Sequence, residues 1–360
     1  MRETARWRTR QAEGLVFGII AVMTALVCAA IVVGNGGYFT YALDAPYVHL
    51  TVADQIRAGI SGANPGDNVP PVSSILYPFL LALLSYLGFG QFSPLAICFA
   101  ATLAVGFLFC RLADEARIPF RRLRPPTLVL LSVALILSLN LIGLEFTGLE
   151  HSLHCALALG SLLGCVRFVR RGRIDWWWLV CVVIQPLVRF EAIALVLVEV
   201  AILLFYRRYW QAIGVAALCA ILIGGFGLYL NSLGLSLPPN PVLQRSDILA
   251  AGLGGAARTH SRLILSLAAN FKINLVSYGG AQIAAMTAVL LARLAAISRI
   301  DRVAIAVIVL ASLVSLAQMA GGRFGSYSRY EIYVMAIDMA SLGIVYRRPI
   351  ASWCHRARLW

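Results

Sequence analysis

Carboxylates and arginines recur together in the short polar stretches that interrupt this chain's long apolar runs. Glu150 ends the sequence Thr147-Gly148-Leu149-Glu150, Arg189 and Glu191 lie two residues apart, and Arg329, Tyr330 and Glu331 are consecutive. Asp44 opens a polar segment that also holds His49 and Asp54. A carboxylate can accept a proton from a hydroxyl, and a guanidinium can grip an anion through two parallel hydrogen bonds. The set therefore suits a general base working beside an anionic substrate. The plainer alternative is that these are loop residues, solvated and paired with one another.

Such residues need elements to hold them, and the composition says which kind. Of the 360 residues 60% are hydrophobic and only 13% are charged, with a mean hydropathy of +0.83. A soluble domain carries nearer a quarter charged residues, so the chain belongs to the all-α integral membrane class. The net charge of +14 does not call for nucleic acid, because basic residues on a membrane protein gather in its cytoplasmic loops. Lys272 is the only lysine; the arginine bias is a weak sign of a bacterial source. None of the eight cysteines forms a CxxC pair, and they read as small hydrophobes within helices.

The stretch Gly14 to Gly34 is uncharged and long enough for a hydrocarbon core of ~30 Å; it reads as a retained first helix rather than a cleaved leader. Apolar runs follow at about 74–89, 92–112, 126–144, 148–166, 176–188, 190–206, 211–231, 273–295, 303–320 and 331–346. If all of them crossed, the loop bearing Arg111, Arg117, Arg121, Arg122 and Arg124 would face outward, against the positive-inside tendency. Keeping 74–89 at the outer interface repairs this, since that run is short and contains Pro78. About ten spans result, with both termini in the cytoplasm and 22 of the 30 basic residues inside.

This predicts a single transmembrane domain over 1–346 with a cytoplasmic tail over 347–360. Its outer parts are a first loop (35–91) with a juxtamembrane helix, a second long loop (232–272) with an interfacial helix near 255–270, and short turns. Trp176, Trp177 and Trp178 are expected at the inner interface. The acids of the first paragraph then collect outside, as do Asp67, Glu145 and Asp247, near Arg189, Arg323 and Arg329. Glu199 and Asp338 lie deeper, either as proton-relay groups or hydrogen-bonded within the bundle.

The outer segments resemble a known family. Asp44-Ala45-Pro46-Tyr47-Val48-His49-Leu50, continuing to Asp54 and Gly59, is similar to the first outer loop of the GT-C glycosyltransferases, which commonly reads Asp-Asp-x-Tyr-Ile-His-Leu. Ser73-Ser74-Ile75-Leu76-Tyr77-Pro78 resembles the approach to the next helix. Thr147-Gly148-Leu149-Glu150 resembles the entry to the fourth span, and Arg189-Phe190-Glu191 an Arg-Pro-Glu hairpin. Pro238-Pro239-Asn240-Pro241 is similar to an element after the seventh span, and Gly321-Gly322-Arg323-Phe324 with Ser328-Arg329-Tyr330 to the last outer turn. The likeness covers about 35–335. The departure is Ala45, where the family often has a second acid.

The resemblance implies a GT-C-like bundle that transfers a sugar, with inversion, from a polyprenyl-phosphate donor to a glycan, lipid or protein acceptor. It implies Asp44 as the base; Arg329, Arg189 and Arg245 as candidates to hold the phosphate; and His49, Glu150, Glu191 and Tyr330 as substrate-orienting neighbours. The co-substrate is the polyprenyl-phosphate sugar, and with Ala45 in place a divalent metal is possible but not favoured. The implied location is a bacterial inner membrane with the active site outward, among membrane lipid and without nucleic acid. The alternatives are a transporter or flippase of a lipid-linked saccharide and a non-catalytic membrane scaffold.

Overall fold

The computed structural model describes residues 2–60, 74–232, 259–296, 301–322, 324–325 and 329–357, and all regular structure among them is helical. Prolines set several helix starts: Pro46 in α2 (Ala45–Arg57), Pro78 in α3 (Tyr77–Tyr86), Pro94 in α4 (Ser93–Glu115) and Pro125 in α5 (Pro125–Ser138). Proline has no N–H to leave unbonded in a first turn, and its fixed φ suits that position. These follow α1 (Arg2–Gly34). After α6 (Leu141–Glu145) come α7 (His151–Arg171), α8 (Trp176–Val188), α9 (Ile193–Phe205) and α10 (Tyr209–Ser232). The last five are α11 (Thr259–Val276), α12 (Tyr278–Ala295), α13 (Arg302–Gly321), α14 (Ile332–Val345) and α15 (Arg347–Ala357).

Among the described residues six helices are long and apolar enough to cross a membrane: Gln11–Gly34, Gly90–Glu115, His151–Arg171, Tyr209–Ser232, Tyr278–Ala295 and Arg302–Gly321. Helix α7 sits at the centre, buried on nearly every side, whereas α1 and α10 leave Val22, Leu26, Val33, Trp210, Ile221 and Leu228 exposed. Apolar faces this extensive need lipid or a partner to cover them, as in a multi-pass membrane protein. The other four expected spans are shorter. Helices α5, α8, α9 and α14 run 13 or 14 residues, about 20 Å at 1.5 Å per residue. The run at 126–144 is divided because Asn140 adopts a left-handed φ of 46° between α5 and α6.

Close approaches fix the relative directions. A Cβ on Gly164 would collide with the Trp178 ring, and one on Gly160 would lie 3.1 Å from Cys181 Sγ. With Glu150 meeting Arg189 at the opposite end, α7 and α8 run antiparallel. The bundle therefore has two polar ends. At one, Glu115 at the end of α4 takes Arg167, Arg170 and Arg171 from the end of α7. Arg121 there joins Asp114 of α4 to Glu13 of α1.

At the other end the chain leaves α1 and returns into α4 over a short distance. The Tyr41 hydroxyl donates to the Gln91 carbonyl at 2.8 Å and accepts from the Leu95 N–H at 3.2 Å. Between these points α2 and α3 pack on each other. Helix α3 is ten residues long, about 15 Å, half the thickness of a bilayer core.

The deep acids Glu199 and Asp338 find partners inside the bundle. Glu199 accepts from Trp178 Nε1 at 3.2 Å and Ser161 Oγ at 3.0 Å, and Asp338 accepts from Ser315 Oγ at 3.0 Å. Trp178 thus turns inward, leaving Trp176 exposed and Trp177 beside Arg167. The run at 273–295 divides at Ser277, which caps α12 by accepting from the Gly280 N–H at 3.1 Å. Residues 273–276 instead finish α11, whose Asn270 and Asn274 amides donate to the Ala320, Gly322 and Met319 carbonyls at the end of α13. Residues 255–258 lie outside the described residues.

Candidate functional site

The site is built on the turn Thr147–Glu150 that starts α7. Gly148 has a φ of 61°, and a Cβ there would press into the Tyr41 ring and Pro46, so only glycine lets α2 settle on the turn without strain. Thr147 Oγ1 donates to the Leu144 carbonyl at 2.7 Å, and Tyr77 Oη donates to the Gly148 carbonyl at 2.9 Å. Tyr77 is itself held at the head of α3, where its N–H donates to Ser74 Oγ at 3.1 Å. The Ile75 N–H bonds the Leu187 carbonyl at 2.9 Å. That last contact brings the head of α3 to the end of α8, two residues from Arg189.

Helix α8 stops where Arg189 becomes extended, with φ −148° and ψ 127°. Its side chain is 4% exposed and bridges two carboxylates. Nη1 donates to Glu150 Oε1 at 2.7 Å, Nε donates to Glu191 Oε2 at 3.1 Å, and Nη2 donates to Glu191 Oε1. Burial alone would raise the Glu150 carboxyl, but the guanidinium, with His49 and His151 adding, holds it well below the ordinary carboxylate value. Glu191 is lowered in the same way, against its own burial, by Arg189. Burial would lower Arg189, and the two carboxylates raise it instead. Glu150 also sits at the N-terminal end of α7, where the helix dipole favours negative charge.

Around this triad the other segments close in. His49 on α2 puts Nε2 3.8 Å from Glu150 Oε2, and its ring stands edge-on to Tyr77 at 5.3 Å. The Tyr330 ring lies 5.3 Å from the Arg189 guanidinium and 4.8 Å from that of Arg329, and His151 meets it at 5.2 Å. Arg329 Nη2 donates to Tyr330 Oη at 2.8 Å. Among the described residues Arg329 makes no ion pair with a carboxylate, so its charge is the one at this cluster not already matched by an acid. Beside the cluster a cavity of about 270 Å³ lies between α2, α3 and α10, lined by Val52, Ile56, Pro78, Phe79, Phe226 and Tyr229.

Of the residues expected at the site, His49, Glu150, Arg189, Glu191, Arg329 and Tyr330 are brought together. Asp44 lies exposed at the head of α2, at the same end, with no side-chain hydrogen bond to its own helix. Arg245 lies outside the described residues, as do Asp67, Asp247, Arg323 and the segment 238–241. Glu145 does not join the cluster: it turns into the bundle and accepts from Thr24 Oγ1 of α1 at 2.6 Å. Glu331 is also buried, accepting from the Gly325 N–H at 3.3 Å. The sequence reading missed Tyr41, Tyr77 and His151; their signal was position, beside the motif residues, rather than chemistry. No family model, curated protein or solved structure matches this chain.

Chemically, the arrangement offers a largely buried triad of two carboxylates on one guanidinium, an arginine with no acid partner among the described residues, and an exposed carboxylate at the same end. Carboxylates held below the ordinary value by a paired guanidinium are weak proton acceptors. Asp44, exposed at the head of α2, is a carboxylate that solvent reaches.

Proposed function

We propose that this chain is a membrane glycosyltransferase of the GT-C kind, moving a sugar from a polyprenyl-phosphate donor to an extracytoplasmic acceptor with inversion. The observation that carries the reading is the meeting, at one end of the bundle, of four segments far apart in sequence. These are α2, the Thr147–Glu150 turn, the Arg189–Glu191 hairpin and Arg329-Tyr330. In the proposed reaction the acceptor oxygen attacks the anomeric carbon and its proton passes to Asp44. The bond from that carbon to the phosphate oxygen breaks, leaving its electron pair on the phosphate. Arg329 faces the departing phosphate, where positive charge stabilises the transition state most. The apolar cavity beside α2, α3 and α10 suits the first isoprene units of the donor.

The same reading takes α5 with α6, α8, α9 and α14 as further spans, giving ten. It puts both termini in the cytoplasm of a bacterial inner membrane and the cluster outside. The arginine count supports that orientation. A transporter would use polar groups strung through the bundle, and Glu199 and Asp338 are already hydrogen-bonded to neighbouring helices. The test is lipid analysis of the protein purified in mild detergent. A polyprenyl-phosphate sugar should co-purify, and Arg329→Ala should lower its occupancy. Recovery of polyprenyl-phosphate sugar at the background level of an unrelated membrane protein would remove the donor from the proposal.

A further inference from the structure

The opposite, arginine-rich end holds a second feature that the transfer reaction does not use. Between the start of α5 and the first turns of α1 lies an open cavity of about 400 Å³, lined by Arg121, Arg122 and Arg124 on one side. Its other walls are Ala12, Leu15 and Leu128, with Gln11 at the edge, and among the described residues no carboxylate lines it. Arg121 is bound by Asp114 and Glu13; the Arg122 and Arg124 side chains reach solvent at the rim. The N-terminus of α5 opens onto the same space at Pro125, adding the positive end of a 14-residue helix.

A second cavity, of about 200 Å³, continues along α5 and shares Leu128 with the first. It is a groove between α1, α4 and α5, lined by Val16, Ile20, Phe109, Leu131 and Leu135, and almost wholly apolar. A basic cup opening into an apolar groove that runs along spanning helices has the chemistry of a phospholipid, phosphate first and acyl chain after. We propose that this end carries a bound anionic glycerophospholipid, its phosphate between Arg122 and Arg124 and one acyl chain along the α1–α4–α5 groove. Basic pockets between spanning helices attract such headgroups. The lipid ties the α1–α4 pair to α5 at a level where Asn140 has shortened α5.

The test is thermal unfolding of the full-length protein in detergent, titrated with phosphatidylglycerol or with phosphatidylcholine of the same chains. Inorganic phosphate is the third titrant. Phosphatidylglycerol is expected to stabilise at the lowest concentration. The double variant Arg122→Gln/Arg124→Gln should lose that preference by roughly fivefold in half-effect concentration per arginine. Arg173→Gln/Arg207→Gln, at the same end but away from the cavity, should keep it. Equal stabilisation by both lipids would overturn the proposal, and so would an unchanged preference in the Arg122/Arg124 variant. A loss as large in the Arg173/Arg207 variant would mean only a generally basic surface. Stabilisation by inorganic phosphate matching that of phosphatidylglycerol would make this a phosphate site and overturn the lipid.

Discussion

Arg189 shows how a residue's type can be read in sequence while its job cannot. A lone arginine next to an acid at a hairpin suggests a phosphate grip. In the fold the N–H edges of the guanidinium are taken by Glu150 and Glu191, and in the proposed reaction Arg329 is the one that faces the anion. Removing Arg189 would strand buried Glu150, and losing one partner of a buried pair costs about 3–5 kcal/mol. Arg189→Ala should therefore lower the melting temperature in detergent as well as any activity, whereas Arg329→Ala should spare stability and affect only donor binding and turnover. A thermally unchanged Arg189→Ala would mean the triad is not structural. The same pairing sets a pH dependence. Because Glu150 is lowered in the folded chain, its contribution is complete above the ordinary value of 4.5 and declines as the pH falls below it. Melting temperature followed from pH 5 to 2.5 should drop less steeply in Glu150→Gln than in the wild type, from a lower starting point. Parallel curves would contradict that account.

At the scale of elements, Pro46, Pro78, Pro94 and Pro125 stand in the first turns of their helices, and Gly148 and Gly172 take the positive φ that suits glycine at a turn. The breaks at Asn140 and Ser277 were not legible in the sequence. Each interrupts an apolar run with one polar residue whose effect depends on what it bonds, and hydropathy does not register that. The contact between α7 and α8 was equally hidden, since Gly160 and Gly164 look like ordinary small residues until Cys181 and Trp178 are set against them. Overpacking such a contact costs about 1–3 kcal/mol, so Gly164→Ala should lower the melting temperature. Gly214→Ala, with open space around it, should not. Equal effects from the two would show that α8 does not lie against α7 as described.

For the whole molecule, the division into two polar ends was visible from the arginine pattern. The convergence of the site residues at one of them required α2 and α3 to meet at the Thr147–Glu150 turn. The proposed orientation is open to direct labelling in a cysteine-free background. A single cysteine replacing Gly88, in the turn after α3, should react with an impermeant maleimide in intact cells, and one replacing Arg117, in the turn after α4, should react only after lysis. The reverse pattern would invert the topology and move the site to the cytoplasm. The central claim, glycosyl transfer at the Asp44 end, is tested most directly by turnover. Reconstituted protein is incubated with a lipid extract containing polyprenyl-phosphate sugars and the membrane's own acceptors, with excess EDTA in one arm. Mass spectrometry then follows each donor. The account predicts that one polyprenyl-phosphate sugar is consumed and free polyprenyl phosphate appears, with or without EDTA, and that Asp44→Asn, which keeps size and removes basicity, abolishes the conversion. No donor consumed by the wild type, or equal consumption by Asp44→Asn, would contradict it.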